Sequence, residues 1–370
     1  MVIKTWLARQ YRDNDLRQDV PAFHAVSGLL QHCIGFATLK VGRGLILGFV
    51  LLTAAGGNAC VRRQPSVPDE VPSGLPSTTS VVQVRIGEIG KPAQAVALED
   101  YVGGVLLAEL PLASLAGSAA GRTMTAVQAI VARTYALTNL GRHADADFDL
   151  CVTTHCQLYR PLETSIPAFA ALAAEATVRT RGMVITHNHR PIQALFHSNC
   201  GGGTSSAGSV WGGPTPPYLD GAPDLFCATV SSKPWHSELE KTELRDALNQ
   251  NDRTAVGSHL LGIEVLRRDG AGRAVSVRLD GKRAPIVRGE ELRAALTSVF
   301  GPHSFKSTRF HVRRAGDTFR FEGTGYGHGV GLCQIGAIAR AEAGHTPDQI
   351  LQHYYPGTDL ELASTETSPR

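Results

Sequence analysis

The sequence has few aromatic residues and an almost balanced charge. Phe, Tyr and Trp make up 6% of its 370 residues, and 36 Lys and Arg face 33 Asp and Glu, which gives a formal net charge of +3. Proteins that bind nucleic acid usually carry clustered Lys and Arg, and no long basic run is present here. We therefore expect no nucleic-acid partner.

Several motifs of common enzyme classes are also absent. The glycine-rich stretch GTGYGHGVGLCQIGA at 323–337 contains neither the Gly-Lys-Ser/Thr of a Walker loop nor the βαβ context of a dinucleotide-binding fingerprint. No G-x-S-x-G nucleophile elbow occurs, so a Ser-His-Asp triad cannot be assembled from spacing. The cysteines also lack the paired C-x-x-C spacing of common zinc modules.

The N-terminal region lacks an apolar run long enough to span a bilayer, since LILGFVLLTAA covers only residues 45–55. Lys40 and Arg43 precede this run, and small residues follow it, which is the layout of a signal peptide. We therefore expect an exported protein of the periplasm or cell envelope, with translation beginning near Val41 rather than at Met1. An internal core segment is the alternative.

Cys60 follows this apolar run and is a candidate for lipidation, although GNAC lacks the aliphatic residue usually found three positions before such a cysteine. Simple export without an anchor is the alternative, and membrane contact is expected only through such a lipid. These features predict a leader or anchor at 1–60, a disordered Pro- and Ser-rich tether at 61–80, a folded domain at 81–362 and a short tail at 363–370.

Hydrophobic periodicity in the folded part predicts an α+β protein. Alternating patterns indicate hairpins at 81–98, 262–281 and 308–325, and two short strands within 183–198. Helical spacing indicates helices at 99–111, 122–141, 167–182, 333–344 and 347–355. We expect antiparallel hairpins packed with several helices, in one large lobe or two intertwined lobes.

Glu109 is a candidate general acid. It shares a helix face with Val102 and Val105, so its carboxyl group lies on an apolar stripe in the last turn of the helix. Burial and the negative end of the helix dipole both raise the pKa of a carboxyl group, as an acid working near neutral pH requires. A Glu that extends to water at the helix end is the alternative.

Arg133 lies on a helix face with Ala126 and Ile130, so it requires an anionic partner in a buried or half-buried place. Glu109 is one candidate partner, in a catalytic site. A purely structural ion pair is the alternative.

The cysteines suggest two further sites. His143, Cys151, His155 and Cys156 could hold a structural zinc ion, whereas a Cys151–Cys156 disulfide is the alternative in an oxidising compartment. Cys200 and Cys227 flank the turn PPYLDG, and we expect a disulfide between them. Cys333 then remains as a buried thiol.

The glycine-rich stretch places Gly at alternate positions from 325 to 331. In an extended strand this would leave one face as bare backbone that a ligand can approach, with Tyr326 and His328 on the other face. The alternative is tight packing, with His328 as a structural hydrogen-bonding residue.

Four blocks taken together resemble the SpoIID/LytB family, named for stage II sporulation protein D and the amidase enhancer. They are LEDYVGGVLLAELP, AVQAIVARTYAL, FHSNCGGGTSSAGSVWGGPTPPYL and GTGYGHGVGLCQIGAIARAEAG with QILQHYYPGT, within about residues 82–361. The resemblance implies an exported, sporulation-related or other cell-wall protein that acts on peptidoglycan as a lytic transglycosylase, with glycan strands as substrate. A non-catalytic peptidoglycan-binding activator of a cell-wall amidase is the alternative.

The family pattern Y-x-x-G-V-x-x-x-E-x-P implies that Glu109 is the catalytic acid, and A-R-T-Y falls on Arg133. The zinc site of some members would fall on the Cys151–Cys156 region with His143, and no cofactor is expected for catalysis. The matching blocks further imply groove residues for the glycan, namely Tyr135, His197, Ser198, Gly201, Gly202, Tyr326, His328 and Gln334. A single protonated Glu suffices, since the C6 hydroxyl of the same muramoyl sugar closes a 1,6-anhydro ring in place of an attacking water.

Overall fold

The computed structural model describes residues 82–230 and 233–363. The expected leader, Cys60 and the tether lie outside the described residues, as do residues 364–370 of the expected tail. In the first half the elements are β1 Gln83–Gly87, β2 Gln94–Ala97, α1 Leu98–Glu109, α2 Leu112–Leu115, α3 Ala119–Thr138, β3 Leu150–Cys151, α4 Pro167–Arg179, β4 Met183–His187, β5 Arg190–Pro191, β6 Phe196–His197, α5 Ala207–Trp211 and α6 Leu225–Val230. In the second half they are β7 Trp235–Glu240, α7 Lys241–Asn249, β8 Leu260–Arg268, β9 Ala274–Gly281, β10 Ile286–Arg288, α8 Gly289–Phe300, β11 Phe310–Ala315, β12 Thr318–Gly323, β13 Leu332–Cys333, α9 Gln334–Glu342, α10 Pro347–Tyr354 and β14 Asp359–Leu362.

The α+β fold class is confirmed. The three expected hairpins form as the antiparallel pairs β1–β2, β8–β9 and β11–β12. Helix α1 ends at Glu109, and the next residue, Leu110, is extended because proline at 111 disfavours helical backbone in the residue before it. Helix α10 begins after Thr346, whose hydroxyl accepts the Gln349 N–H in a capping box.

Helix α3 begins three residues earlier than its periodicity predicts. Ser118 caps it, with its hydroxyl accepting the Gly121 N–H at 2.9 Å. Most of the helix is buried, and it packs against α1, α4, β4, α9 and α10. Helix α3 is thus the central element of the first hydrophobic core.

The molecule contains a second hydrophobic core between Trp235 and Phe321. Strands β7 to β12 surround it with α7 and α8, and aromatic rings such as Phe305, Phe310 and Phe321 meet edge to face inside it. Because β6 and β13 flank this segment in sequence and pair with each other, the chain leaves the first core, builds the second and returns.

Two parallel pairings connect segments that are distant in sequence. Strand β1 pairs with β3, and β6 pairs with β13, with Cys333 opposite His197. These contacts bring Cys151, one of the expected zinc ligands, and the glycine-rich stretch to the first core. Within residues 82–230 and 233–363, no helix is long and apolar enough to cross a membrane.

The expectation of an extended glycine-faced strand at 325–331 is wrong. Gly325, Gly327, Gly329 and Gly331 all have φ between +68° and +98°, which is the left-handed region. A Cβ on Gly331 would lie 2.1 Å from the carbonyl oxygen of Leu195. The glycines are therefore required by a coiled loop that packs tightly against its neighbours.

Candidate functional site

Glu109 lies at the C-terminal end of α1 with its carboxylate half-buried. Val102 and Val105, on the same helix face, are fully buried. Burial raises the pKa of Glu109 from its ordinary value of 4.5 to about 7, although hydrogen bonds from the Leu158 N–H and the Gln334 side chain lower it. The Leu158 N–H donates to Oε1 at 2.9 Å. At neutral pH this carboxyl group can therefore both donate and accept a proton.

Gln334 connects Glu109 to the glycine-rich loop. It is the first residue of α9, it is 2% exposed, and its Nε2 lies 3.5 Å from the backbone oxygen of Glu109. Its neighbour Cys333 pairs with His197 across β13 and β6. A continuous series of contacts thus runs from the acid at the end of α1 to the loop at 325–331.

The other end of this series holds two histidines and a tryptophan. The rings of His197 and His328 are 5.4 Å apart, and Trp211 lies 5.2 Å from His328 and is 40% exposed. The Val330 N–H donates to Nδ1 of His328 at 3.1 Å, and the Val330 carbonyl oxygen lies 3.2 Å from Nδ1 of His197. Trp211 therefore presents an aromatic surface beside the imidazole pair.

Both imidazoles are held in the neutral form. Burial, with the charges of Arg293 and Arg273, lowers the pKa of His328 to about 3. Burial and the neighbouring His328 and Arg273 also lower the pKa of His197 well below its usual value. Nε2 of His197 is buried and has no hydrogen-bond partner within the described residues. Neutral imidazoles of this kind bind hydroxyl groups but do not act as acids at neutral pH.

Arg133 does not contact Glu109, and the expectation of that partnership is wrong. Its fully buried guanidinium forms a bidentate ion pair with Glu99. Nε donates to Oε1 at 2.9 Å, and Nη2 donates to Oε2 at 2.5 Å. Nη1 also approaches Thr180 Oγ1 and the Met183 carbonyl oxygen. Since Glu99 lies in the first turn of α1 and Glu109 at its end, the contacts of Arg133 connect α3 with the start of α1 and with the end of α4. A catalytic role for Arg133 stays a prediction.

The four residues expected to bind zinc come together. One ligand atom from each of His143, Cys151, His155 and Cys156 lies within 4.8 Å of the others, and all described cysteines are free thiols. Nε2 of His143 is 3.3 Å from the Cys156 sulfur, and Nδ1 of His155 is 3.6 Å from the Cys151 sulfur. Two thiolates and two imidazoles at this separation fit the donor set of a tetrahedral zinc ion.

This cluster lies beside the acid. The Leu158 N–H that binds Glu109 follows Cys156 by two residues, and the hydroxyl of Tyr101, on α1, donates to Oε1 of Gln157 at 2.9 Å. Tyr135, an expected groove residue, is 5% exposed and forms a hydrogen bond with Cys156. The segment 151–158 therefore holds the carboxylate from one side, while Gln334 holds it from the other.

The remaining expected groove residues surround the glycine-rich loop. Ser198 accepts the Ile335 N–H through its backbone oxygen, and Gly201 and Gly202 form a left-handed turn just after it. Tyr326 pairs with Asn199 through backbone hydrogen bonds, and its hydroxyl lies 2.8 Å from Nδ1 of His303. Trp211, Glu99, Asp224 and Arg273 were not among the expected site residues, because none of them stands in a local motif of its own.

Cys200 and Cys227, for which we expected a disulfide, are adjacent and are present as free thiols. Cys333, which we expected to remain as a buried thiol outside the disulfide, lies within 4.8 Å of both sulfur atoms, and so does a carboxylate oxygen of Asp224. The disulfide stays a prediction.

Comparison with known proteins agrees with this architecture. Residues 90–187, which contain Glu109 and the Cys–His cluster, match the family model of the stage II sporulation protein SpoIID. Residues 228–331, which contain the second core, match a domain of unknown function (DUF8618). The first core with its acid and cluster therefore defines a SpoIID-type domain.

The similar proteins extend over most of the folded part. An uncharacterized protein of Brachyspira hyodysenteriae is 30% identical over 268 residues, which cover 71% of this chain and 66% of that protein. Stage II sporulation protein D of Bacillus subtilis is 28% identical over 280 residues, covering 72% and 75% of the two chains. The amidase enhancer of Bacillus subtilis is 28% identical over 273 residues, covering 63% of this chain and 37% of that protein, so this chain spans little more than a third of its length. The chain belongs to the SpoIID/LytB family.

Proposed function

We propose that this protein is an exported lytic transglycosylase that cleaves glycan strands of the peptidoglycan cell wall, with Glu109 as its single general acid and base. The observation that carries the proposal is the carboxyl group of Glu109, whose pKa of about 7 results from burial at the end of α1. The similarity to stage II sporulation protein D supports a role at the cell wall.

In this mechanism Glu109 donates its proton to the glycosidic oxygen that leaves. The carboxylate then accepts the proton of the C6 hydroxyl as this group attacks the anomeric carbon and closes the 1,6-anhydro ring. Neutral Glu109 is thus restored without water. A second carboxylate, which hydrolytic glycosidases require as base or nucleophile, is not needed.

The loop at 325–331 and Trp211 provide the surface for the glycan in this proposal. The exposed indole of Trp211 offers an apolar face on which a sugar ring can stack. We also propose that zinc binds His143, Cys151, His155 and Cys156 and holds the segment that carries Leu158. Its role is structural, since all four positions of a tetrahedral ion are filled by protein.

The test is the product formed from purified glycan strands that lack stem peptides. We expect the wild-type protein to release 1,6-anhydro-muramoyl ends, detected by mass spectrometry, with a rate that falls as the pH rises above about 7. Glu109→Gln keeps an acceptor for the Leu158 N–H but has no proton to donate, and we expect a loss of at least about a hundredfold. Glu175→Gln, an exposed change on α4, serves as control.

The second candidate is a non-catalytic activator of a cell-wall amidase, which the similarity to the amidase enhancer supports. This role predicts that Glu109→Gln binds peptidoglycan and stimulates an amidase as the wild type does. Anhydro products at the wild-type rate from Glu109→Gln would refute the proposed mechanism, and the absence of these products from the wild type would favour the activator.

A further inference from the structure

We propose that Cys200, Asp224, Cys227 and Cys333 form a second metal site, which binds one zinc ion in the interior of the protein. One ligand atom from each residue lies within 4.8 Å of the others, and all four residues are fully buried. The site is separate from the Cys–His cluster beside Glu109, and it does not depend on the proposed reaction.

The spacing of the four atoms fits one ion. With zinc–sulfur bonds of about 2.3 Å, a tetrahedral site places its sulfur atoms about 3.8 Å apart, so a small contraction brings these atoms to ligand distance. Three thiolates and one carboxylate with no open position correspond to a structural site, and soft thiolates favour zinc over magnesium or calcium.

The backbone around the sulfur atoms is arranged for thiolates. The Cys333 sulfur accepts the Cys200 N–H at 3.2 Å and the Gly336 N–H at 3.4 Å, and the Cys200 sulfur accepts the Gly202 N–H at 3.4 Å. Cys333 also caps the N-terminus of α9, where the helix dipole stabilises a negative charge. These donors would serve a metal-bound thiolate as its outer hydrogen-bonding partners.

Asp224 has the outer partners that a ligating carboxylate usually has. The hydroxyl of Tyr354 donates to Oδ2 at 2.7 Å, and the Cys227 N–H donates to Oδ1 at 3.2 Å. A Cβ on Gly336 would lie 2.1 Å from Oδ2 of Asp224 and 2.2 Å from the Tyr354 hydroxyl oxygen. Only glycine therefore allows α9 to approach the carboxylate this closely.

Two buried arginines, Arg340 and Arg273, lie close enough to offset the excess negative charge of the proposed zinc site. Three thiolates and a carboxylate exceed the charge of one zinc ion by two negative charges. Nη2 of Arg340 lies 3.4 Å from Oδ1 of Asp224, and Nη2 of Arg273 lies 3.3 Å from the Cys200 carbonyl oxygen. Arg273 is 1% exposed, and no carboxylate among the described residues lies within salt-bridge distance of it. The anionic site would add to the compensation that the neighbouring carboxylates of Glu290 and Asp269 give this buried cation.

The site would join three segments that are distant in sequence: the turn after β6, helix α6 with the residue before it, and the start of α9. Gln334, which follows Cys333 directly, is the residue that contacts the backbone of Glu109. The second zinc ion would therefore fix the wall of the candidate active site that the first cluster does not reach.

The experiment measures zinc in the full chain, purified without a histidine tag or chelator, by elemental analysis and native mass spectrometry. We expect Cys200→Ser/Cys227→Ser to contain one zinc ion per chain fewer than the wild type. The matched control Cys151→Ser/Cys156→Ser alters the other cluster, and we expect it to keep one zinc ion. In that control, Cys200, Cys227 and Cys333 should resist alkylation until a chelator is added.

The control variant also keeps the test decisive if Cys200→Ser/Cys227→Ser fails to fold. Cobalt added to metal-free Cys151→Ser/Cys156→Ser should give the intense near-ultraviolet bands of thiolate–cobalt bonds. A Cys151→Ser/Cys156→Ser protein without zinc or these bands would overturn the proposal. So would a wild-type chain in which a Cys200–Cys227 disulfide is found by peptide mapping.

Discussion

At the scale of single residues, the environment of Glu109 opposes its ionisation. Its carboxylate has the Leu158 N–H and the Gln334 side chain as hydrogen-bond donors, and burial outweighs both, so that the pKa rises to about 7. A carboxyl group kept partly protonated at neutral pH costs the folded state free energy when it ionises. Such a cost is expected where proton donation is the function.

The first prediction concerns stability against pH. Between pH 4.5 and 7 the folded state binds more protons at Glu109 than the unfolded state, so the wild type loses stability as the pH rises through this range. Glu109→Gln lacks this titration. We expect it to match the wild type below pH 4.5 and to exceed its free energy of unfolding by up to about 3 kcal/mol above pH 7.

Urea unfolding from pH 4 to 8 measures this difference. The control Glu175→Gln replaces an exposed carboxylate and should change the free energy of unfolding by less than about 0.5 kcal/mol. A constant difference between Glu109→Gln and the wild type across this range would show that the carboxyl group is not destabilised by burial.

At the scale of elements, the glycine-rich loop shows why alternating glycines do not always form a strand. Positive φ at four positions turns the chain repeatedly, and Gly329 packs directly on the guanidinium of Arg273. The loop is thus the packing partner of a buried side chain as well as the support of His328.

The second prediction distinguishes two reasons for glycine in the loop: the positive φ of the backbone and the lack of space for a Cβ. A Cβ at Gly329, where φ is +82°, would lie 2.3 Å from Arg273, whereas Gly344, where φ is +88°, has no atom within 4 Å of its Cβ position. We expect Gly344→Ala to lower the free energy of unfolding by about 1–2 kcal/mol, which is the cost of placing a Cβ in left-handed backbone. We expect Gly329→Ala to lower the free energy of unfolding by at least twice as much, because Arg273 must move or break its hydrogen bonds.

Thermal and urea unfolding of the two variants provide the measurement. If Gly329→Ala and Gly344→Ala were equally stable, the close approach of Arg273 to the loop would be refuted.

At the scale of the whole molecule, Arg273 joins the two hydrophobic cores. It directly precedes β9 of the second core, and its Nη1 donates to the Gly327 carbonyl oxygen at 2.9 Å, while Nη2 donates to the Cys200 carbonyl oxygen at 3.3 Å. Both acceptors lie next to the first core. One side chain from the second core thus organises the loop that holds the histidine pair.

The third prediction follows from these bonds. Arg273→Met keeps much of the side-chain volume but removes the donor to the half-buried Gly327 carbonyl oxygen and to the buried Cys200 carbonyl oxygen. A buried group left unsatisfied costs about 1–3 kcal/mol. We expect the free energy of unfolding to fall by roughly 3 kcal/mol, measured in urea. Arg267→Met, an exposed change on β8, should have little effect. Equal stability of the Arg273→Met and wild-type proteins would contradict the joining role of Arg273.

The sequence by itself determined the local elements and the helix face on which Glu109 lies. The hairpins, the end of α1 before Pro111, the capped start of α10 and the apolar face that carries Glu109 all depend on residues close in sequence, whose periodicity is visible without a structure. The four cysteine and histidine residues between 143 and 156 were also visible, because a short segment holds them together.

Only the tertiary structure decided which charged groups meet. Helical spacing shows the face on which Arg133 lies but not its position along the neighbouring helix, and so it could not distinguish Glu99 from Glu109. The parallel pairing of β6 with β13 likewise brings Cys333 to Cys200 over more than a hundred residues, and no local pattern encodes such a contact. Long-range burial, set by how α9 and the glycine-rich loop pack, decides the partners of these groups.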